Sequence, residues 1–267
     1  MNREPIRIRA SSFGSLFDCP ARWIAIHLEG KRSPQSGKAA LGTALHAGTA
    51  VFDSERVAGQ LPNVGAASDA AAEKVSKIDD ETIWEPGEQV KAIDVATSLT
   101  AKYCKEESMK HQFAAVEATL DSLVIKDLGL ELTGTTDRVE VIGGEYGVTD
   151  IKSGKTAVGT NGIAKTHGHA AQLGIYEIVA EESTGLQITG PAQIIGLQTN
   201  LTPDKQRIGT GLIVNAREVL LGNEQHTGLL VTASKLVHGD IDPWGNPKSM
   251  MCSEVYCPNF KQCFWRR

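Results

Sequence analysis

From Leu130 to Lys152 the chain reads LELTGTTDRVEVIGGEYGVTDIK. Apolar and β-branched residues crowd its two halves, and Gly143-Gly144 parts them where a tight turn would fall. The stretch before it, Val116 to Ile125, has the same character and ends at Asp127-Leu128-Gly129. Val116–Ile125, Leu130–Ile142 and Tyr146–Ile151 therefore read as a three-stranded meander.

Helical patterns surround it. Ser11-Ser12 is placed to cap a helix carrying Phe13, Leu16 and Phe17; Cys19-Pro20 interrupts, and Trp23 to Ile26 resumes, giving two pieces with a corner. After a Gly/Ser/Pro-rich loop at 30–37, residues 39–52 set Leu41, Leu45 and His46 at helical spacing. Residues 62–88 are rich in Ala, Asp and Glu, and 89–107 repeat Val90, Ile93, Leu99 and Tyr103 at helical intervals, so this acidic half reads as helical covering. Downstream, 164–182 reads as a helix, Ile194–Gln198 as a strand and Leu212–Val237 as helical. The order implies an α/β fold, a small mixed sheet with helices packed on it, in a single domain spanning 1–267.

The meander carries the chemistry. Asp137 lies on its second strand and Asp150 closes its third, so antiparallel pairing sets two carboxylates side by side near the strand ends. Buried together they repel, and one stays protonated unless a cation lies between them; Mg²⁺ or Mn²⁺ suits such oxygen ligands. Lys152, two residues past Asp150, shares its face of the strand. An ammonium there can hold an attacking water and offset charge on a phosphate, which is equipment for phosphodiester hydrolysis. Gln172 and Tyr176, four apart on the next helix, suit phosphate binding or the orientation of Lys152.

Composition narrows the setting. With 41% hydrophobic and 22% charged residues the chain can build a core. No apolar run suggests a membrane span, and the charged start, MNREPIRIR, is unlike a signal peptide, so a cytoplasmic protein is expected, in a host cell if the chain is phage-encoded. The net charge of -5 is uneven: residues 1–40 carry seven Lys/Arg against three Asp/Glu and residues 246–267 four against one, leaving -12 for the middle. Of five cysteines, Cys252, Cys257 and Cys263 crowd the last sixteen residues and Cys19 stands near the front, a distribution that suggests a metal rather than disulfides. A metal shared by these four would join the two basic ends into one positive surface, suited to DNA.

In this order, Gly42-x-x-x-His46, Gly134-x-x-Asp137, Asp150-x-Lys152 and Gln172-x-x-x-Tyr176 resemble the motif series of the PD-(D/E)XK nucleases, in particular the RecB-like exonuclease branch that includes CRISPR-associated and phage recombination exonucleases. The resemblance runs from about residue 10 to the C-terminus. It implies a restriction-endonuclease-like core with a helical elaboration at about 53–112 and a metal-clip segment at about 246–267. It also implies His46, Asp137, Asp150 and the backbone carbonyl of Ile151 as ligands of Mg²⁺ or Mn²⁺, Lys152 as the catalytic lysine, and Glu117 as a supporting acid. Members of the branch often tie one N-terminal and three C-terminal cysteines around an iron–sulfur cluster, and Cys19, Cys252, Cys257 and Cys263 are similar. The Cys257-x5-Cys263 spacing matches, whereas Cys252-x4-Cys257 departs from the usual two intervening residues, so a 4Fe–4S cluster and a four-cysteine zinc site both remain open. The activity implied is exonucleolytic hydrolysis of DNA in recombination, repair or phage DNA processing. Rival readings are a non-catalytic DNA-binding or assembly subunit on a nuclease scaffold, and a structure-specific endonuclease.

Blander readings apply to single features. Asp137-Arg138 alone is as well explained as a surface ion pair, Cys104 as a plain helix thiol, and His167, His169 and His238 as surface residues, although the first two precede the Gln172 helix and lie where a substrate could approach. Ser153-Gly154-Lys155-Thr156 imitates the end of a phosphate-binding loop, but Thr149 stands where the leading glycine is required. Without a nucleotide motif, any unwinding falls to a helicase or recombinase partner.

Overall fold

The computed structural model describes residues 3–77, 81–200 and 202–266. Among them the expected meander is the centre of a six-stranded mixed sheet. Strands β4 (Phe113–Ile125), β5 (Leu130–Ile142) and β6 (Glu145–Gly154) run antiparallel in sequence. β7 (Ala192–Gln198) pairs parallel to β6, and β8 (Arg207–Ile213) antiparallel to β7. A short first strand, β1 (Ile6–Arg9), pairs parallel to β5 from Ile6 against Leu130 to Arg9 against Thr133.

β1 and β6 share one edge of β5. β1 takes its beginning and β6 its end, where Arg138 faces Thr149. Between Thr133 and Arg138 that edge has no strand neighbour among the described residues, which leaves a notch at Gly134–Asp137. β4 covers the opposite edge throughout.

Alternation along the strands sends residues to two cores. On one face Ile8, Leu132, Val139, Val148 and Ile194 pack with Phe13 and Leu16 of α1 (Ala10–Asp18), Trp23 of α2 (Pro20–His27) and Leu173 and Val179 of α6 (Ala170–Thr184). On the other, Ile151, Ile195 and Leu197 pack with Leu45 and Phe52 of α3 (Gly37–Val57) and Val95 and Leu99 of α5 (Glu88–Lys102). α4 (Val64–Ser76) closes the helical layer through Ala71 and Val75. A two-residue pairing of β2 (Gln35–Ser36) with β3 (Thr82–Ile83) ties the start of α3 to this layer. Each large apolar side chain so buried contributes about 1.5–3 kcal/mol before its entropy cost.

Several expectations are corrected. α1 starts at Ala10, and Ser12 and Ser15 donate back to the Arg9 and Ser12 carbonyls instead of capping forward. The helix expected at 164–182 begins only at Ala170, because Ala164 and Lys165 donate their N–H groups to Thr210 and Ala157 and hold that segment as a loop beside β8. The helical reading of 212–237 also fails at both its start and its middle. Residues 207–213 form β8, and α7 (Ala216–Leu221) and α8 (Leu229–Val237) are parted by a turn in which Gly222 and Gly228 pack backbone to backbone. β1 escaped the sequence reading altogether, although its Ile-Arg-Ile-Arg alternation is the mark of a half-buried strand. No helix among the described residues is long and apolar enough to cross a membrane.

Candidate active site

The notch in β5 opens into a cleft of about 930 Å³ whose walls include His46, Asp137, Asp150, Ile151, Lys152, Gln172 and Tyr176. Elements far apart in the chain deliver them. Asp137 comes from β5, Asp150 and Lys152 from β6, Gln172 and Tyr176 from α6, and His46 from α3 on the far side of the sheet. Gly42 eases the close approach of α3 to the end of β6, since a Cβ there would stand 3.1 Å from Ser153 Oγ and the hydroxyl would have to turn aside.

Asp137 is buried and engaged through one oxygen. Its Oδ2 accepts the Ile151 N–H at 2.8 Å and lies 3.1 Å from His46 Nδ1. Burial pushes its pKa up, but the His46 imidazolium, Arg138 and the Ile151 N–H overcome this and hold the carboxyl at about 2. The same pairing raises His46 against its own burial. Asp150 differs: burial outweighs the help of Lys152, the Asp137 charge adds to it, and the pKa rises to about 6. Lys152 Nζ donates to Asp150 Oδ1 at 3.0 Å. Asp150 Oδ2, 2.7 Å from the same nitrogen, is buried and makes no hydrogen bond among the described residues. The ion pair with Lys152 offsets part of the cost of burying this carboxylate, and a cation in the cleft would relieve the remainder together with the repulsion from Asp137.

Gln172 Nε2 donates to the Tyr176 hydroxyl at 2.9 Å, so the two form one polar group on the wall, and burial raises the Tyr176 pKa. Glu117, on β4, lies between the pairs Val116–Arg138 and Ala118–Thr136, opposite Asp137, with φ at +52°, a strained backbone for a residue with a Cβ. Burial first, then the Asp137 charge, raises its pKa. Ile151 buries its side chain in the second core and meets the cleft through its backbone. His169 is half-buried; burial and then Lys152 lower its pKa to about 4, so it is neutral beside the cleft.

Arg138 is no surface residue. It is fully buried, donates through Nε to Asp53 Oδ2 at 2.8 Å, and gives Nη1 to the Asp137 carbonyl at 2.7 Å and Nη2 to Thr49 Oγ1 at 3.2 Å. Asp53 also accepts from the Tyr103 hydroxyl at 2.7 Å and from Ser108. This network bolts α3, which carries His46, to β5, which carries Asp137. Sequence reasoning missed Asp53, Thr49 and Tyr103 because each looks ordinary in its own helix. It also missed Arg7 and Arg9, which β1 presents to the mouth of the cleft; their signal was the alternation at residues 6–9.

The two chain ends meet through α1–α2 and residues 244–259. Ala21 N–H donates to the Trp244 carbonyl at 3.0 Å, Arg22 and Ser33 to the Tyr256 carbonyl at 3.2 and 2.9 Å, and Asn246 N–H to Cys19 Sγ at 3.4 Å. Cys19, Cys252, Cys257 and Cys263 all line one cavity of about 280 Å³, and all are free thiols. The sulfurs ring this space without closing on a point: among the described residues no group of three or more His, Cys, Asp or Glu is drawn together tightly enough to hold a metal ion, here or in the cleft. Four soft ligands around one cavity fit a cluster or zinc in kind. Cys104 is buried in the second core, where desolvation raises its pKa to about 12, in keeping with an inert helix thiol.

A family model described as the PD-(D/E)XK nuclease superfamily matches residues 8–264. Among solved structures, a crystal structure of a "Putative exonuclease" from Eubacterium rectale is similar, with a TM-score of 0.57 and 12% sequence identity over 92% of this chain and 87% of that one. At that identity the likeness speaks for the fold. No curated protein sequence matches the chain.

Proposed function

The chain belongs to the PD-(D/E)XK nuclease superfamily, with the restriction-endonuclease-like mixed sheet flanked by helices, and from that premise we propose that it is a Mg²⁺- or Mn²⁺-dependent DNA exonuclease. The observation that carries the proposal is the convergence of two buried carboxylates, Asp137 and Asp150, with His46 and Lys152 on one cleft. His46, Asp137, Asp150 and the Ile151 carbonyl would hold the cation, which when bound supplies Lewis-acid stabilisation of the charge building on the scissile phosphate.

The chain's own groups do the rest. Lys152, held at Asp150, orients the attacking water and balances negative charge beside it. Gln172 and Tyr176 position the phosphate from α6, while Arg9 and Lys38, with Arg7 paired to Glu131 beside them, give the cleft mouth a positive lining that draws the backbone in. The four-cysteine clip, with an iron–sulfur cluster or zinc, would hold the basic ends together without touching the chemistry. Action in recombination, repair or phage DNA processing, beside a helicase or recombinase, belongs to the same proposal, since no nucleotide-binding motif accompanies the cleft.

The test is degradation of end-labelled linear and covalently circular single-stranded DNA with Mg²⁺, Mn²⁺ or EDTA, comparing the natural chain with Lys152→Ala and Asp150→Ala. Cation-dependent loss of linear DNA alone, absent in folded variants, is expected. Cleavage of the circle makes the protein an endonuclease, and full activity in Lys152→Ala sinks the assignment of the site.

A further inference from the structure

Beside the catalytic cleft lies a second groove of about 660 Å³. Its walls come from the start of α3, from α5, and from the segments that follow the parallel strands β6 and β7. Lys38 and Ser153 line both spaces, so the groove is a continuation of the cleft and not a separate pocket.

The groove has two kinds of wall. Lys38, Lys91, Lys155 and Lys205 project into it from four different segments; all are exposed, and none forms an ion pair among the described residues. Two carboxylates, Glu85 and Glu88, share the wall, and Glu88 is turned inward to accept the Glu85 N–H at 3.0 Å. Four cations against two carboxylates is a local excess, and Lys91, Lys155 and Lys205 come from the otherwise acidic middle of the chain. The other wall is Trp84, half-buried against the core of the helical layer and lining the groove with the remainder of its surface. Its ring lies directly over Gly37, where even a Cβ would collide with it, and its Nε1 is buried without a partner among the described residues. Ser153-Gly154-Lys155, which in sequence imitates a phosphate loop, forms the floor, fixed by Gly154 accepting from Ala157 and Thr199.

Unpaired lysines along a track with an aromatic face are what a single strand requires, since its phosphates need cations and its unstacked bases offer a face to an aromatic ring. A duplex keeps its bases stacked inside and has no use for Trp84. Resting on the nuclease reading of the adjoining cleft, we propose that this groove carries the single-stranded part of the nucleic-acid substrate to or from the cleft, with a base stacked on Trp84 and phosphates on Lys38, Lys91, Lys155 and Lys205.

The experiment is fluorescence anisotropy of 5′-fluorescein oligothymidylates of graded length, in buffer without added divalent cation, over a range of salt. Affinity should rise with length until a strand spans both spaces and then level off. Trp84→Ala should weaken the long strands by about 10–100-fold and the shortest one little. Lys91→Ser and Lys155→Ser, exposed changes that leave the core alone, should each lower the salt slope for long strands by about 0.7. Affinity independent of length, or lysine variants that match the natural chain at every length and salt, overturns the proposal. If that happens while linear DNA is still degraded, the nuclease reading stands without the groove; length-dependent binding lost in the variants, with no cleavage under any cation, upholds the groove and removes the nuclease.

Discussion

Replacing Asp53 by alanine should separate stability from chemistry in this fold. Asp53 and Arg138 are both fully buried, and the carboxylate accepts from Arg138 Nε, the Tyr103 hydroxyl and Ser108. Removing it leaves the guanidinium without its buried counter-charge, with Glu117 at 3.6 Å as its remaining ion pair, and two hydroxyls without an acceptor. Breaking a buried pair from one side costs about 3–5 kcal/mol, a large share of the roughly 5–15 kcal/mol that holds a domain together. For a chain of this size the melting temperature should fall by about 5–9 °C. Arg138 also holds the Asp137 carbonyl and Thr49, one turn beyond His46, so releasing it lets His46 and Asp137 drift apart. A displacement near 1 Å should slow DNA cleavage about 100-fold. The double variant Asp53→Leu, Arg138→Met removes both charges and should regain much of the stability but not the rate. Urea melts and cleavage of linear DNA at a temperature where every variant is folded measure the two effects. A loss below about 1 kcal/mol in Asp53→Ala refutes the energetic reasoning, and full activity in the double variant refutes the positioning.

Three other outcomes are expected. His111 sits between Glu140, 2.6 Å from Nδ1, and Glu107, 3.1 Å from Nε2; burial lowers its pKa, but the two carboxylates raise it to about 9. A folded-state pKa above the unfolded value near 6.5 stabilises fully below that value and is lost as pH climbs through 9, so urea midpoints should fall between about pH 6.5 and 9 and flatten in His111→Gln; a flat profile in the natural chain counts against the buried triad. Cys263→Ser should abolish the iron or zinc that co-purifies and speed tryptic cleavage at Lys248 and Lys261, read by elemental analysis and mass spectrometry; metal-free natural protein would remove the clip. Gly42→Ala should keep substantial activity because the Ser153 hydroxyl can turn aside from a Cβ 3.1 Å away, whereas Gly42→Leu should prise α3 from β6 and end cleavage while α3 stays helical by circular dichroism.

What could be read from the sequence divides along a physical line. β5 was bounded residue for residue because its ends are marked by glycines and its interior by alternation. Asp137, Asp150 and Lys152 could be paired on paper because a hairpin fixes register locally: two strands joined by Gly143-Gly144 must bring the residue before Arg138 toward the residue after Thr149. The β8 strand and the late start of α6 could not, because both depend on residues 157–165 folding back on Thr210, a choice made by tertiary contact and not by propensity. The Asp53–Arg138 bolt was hidden for the same reason on a longer scale. An aspartate near the end of a helix and an arginine on a strand 85 residues later each have a sufficient local explanation as solvated charges, and only the packing of α3 on the sheet takes both out of water. Once they are buried, neither can be lost alone, so the residues least visible in the sequence are those that set the distance between His46 and Asp137. The cleft's candidate residues are therefore written in local motifs, and their spacing in long-range pairs that no motif announces.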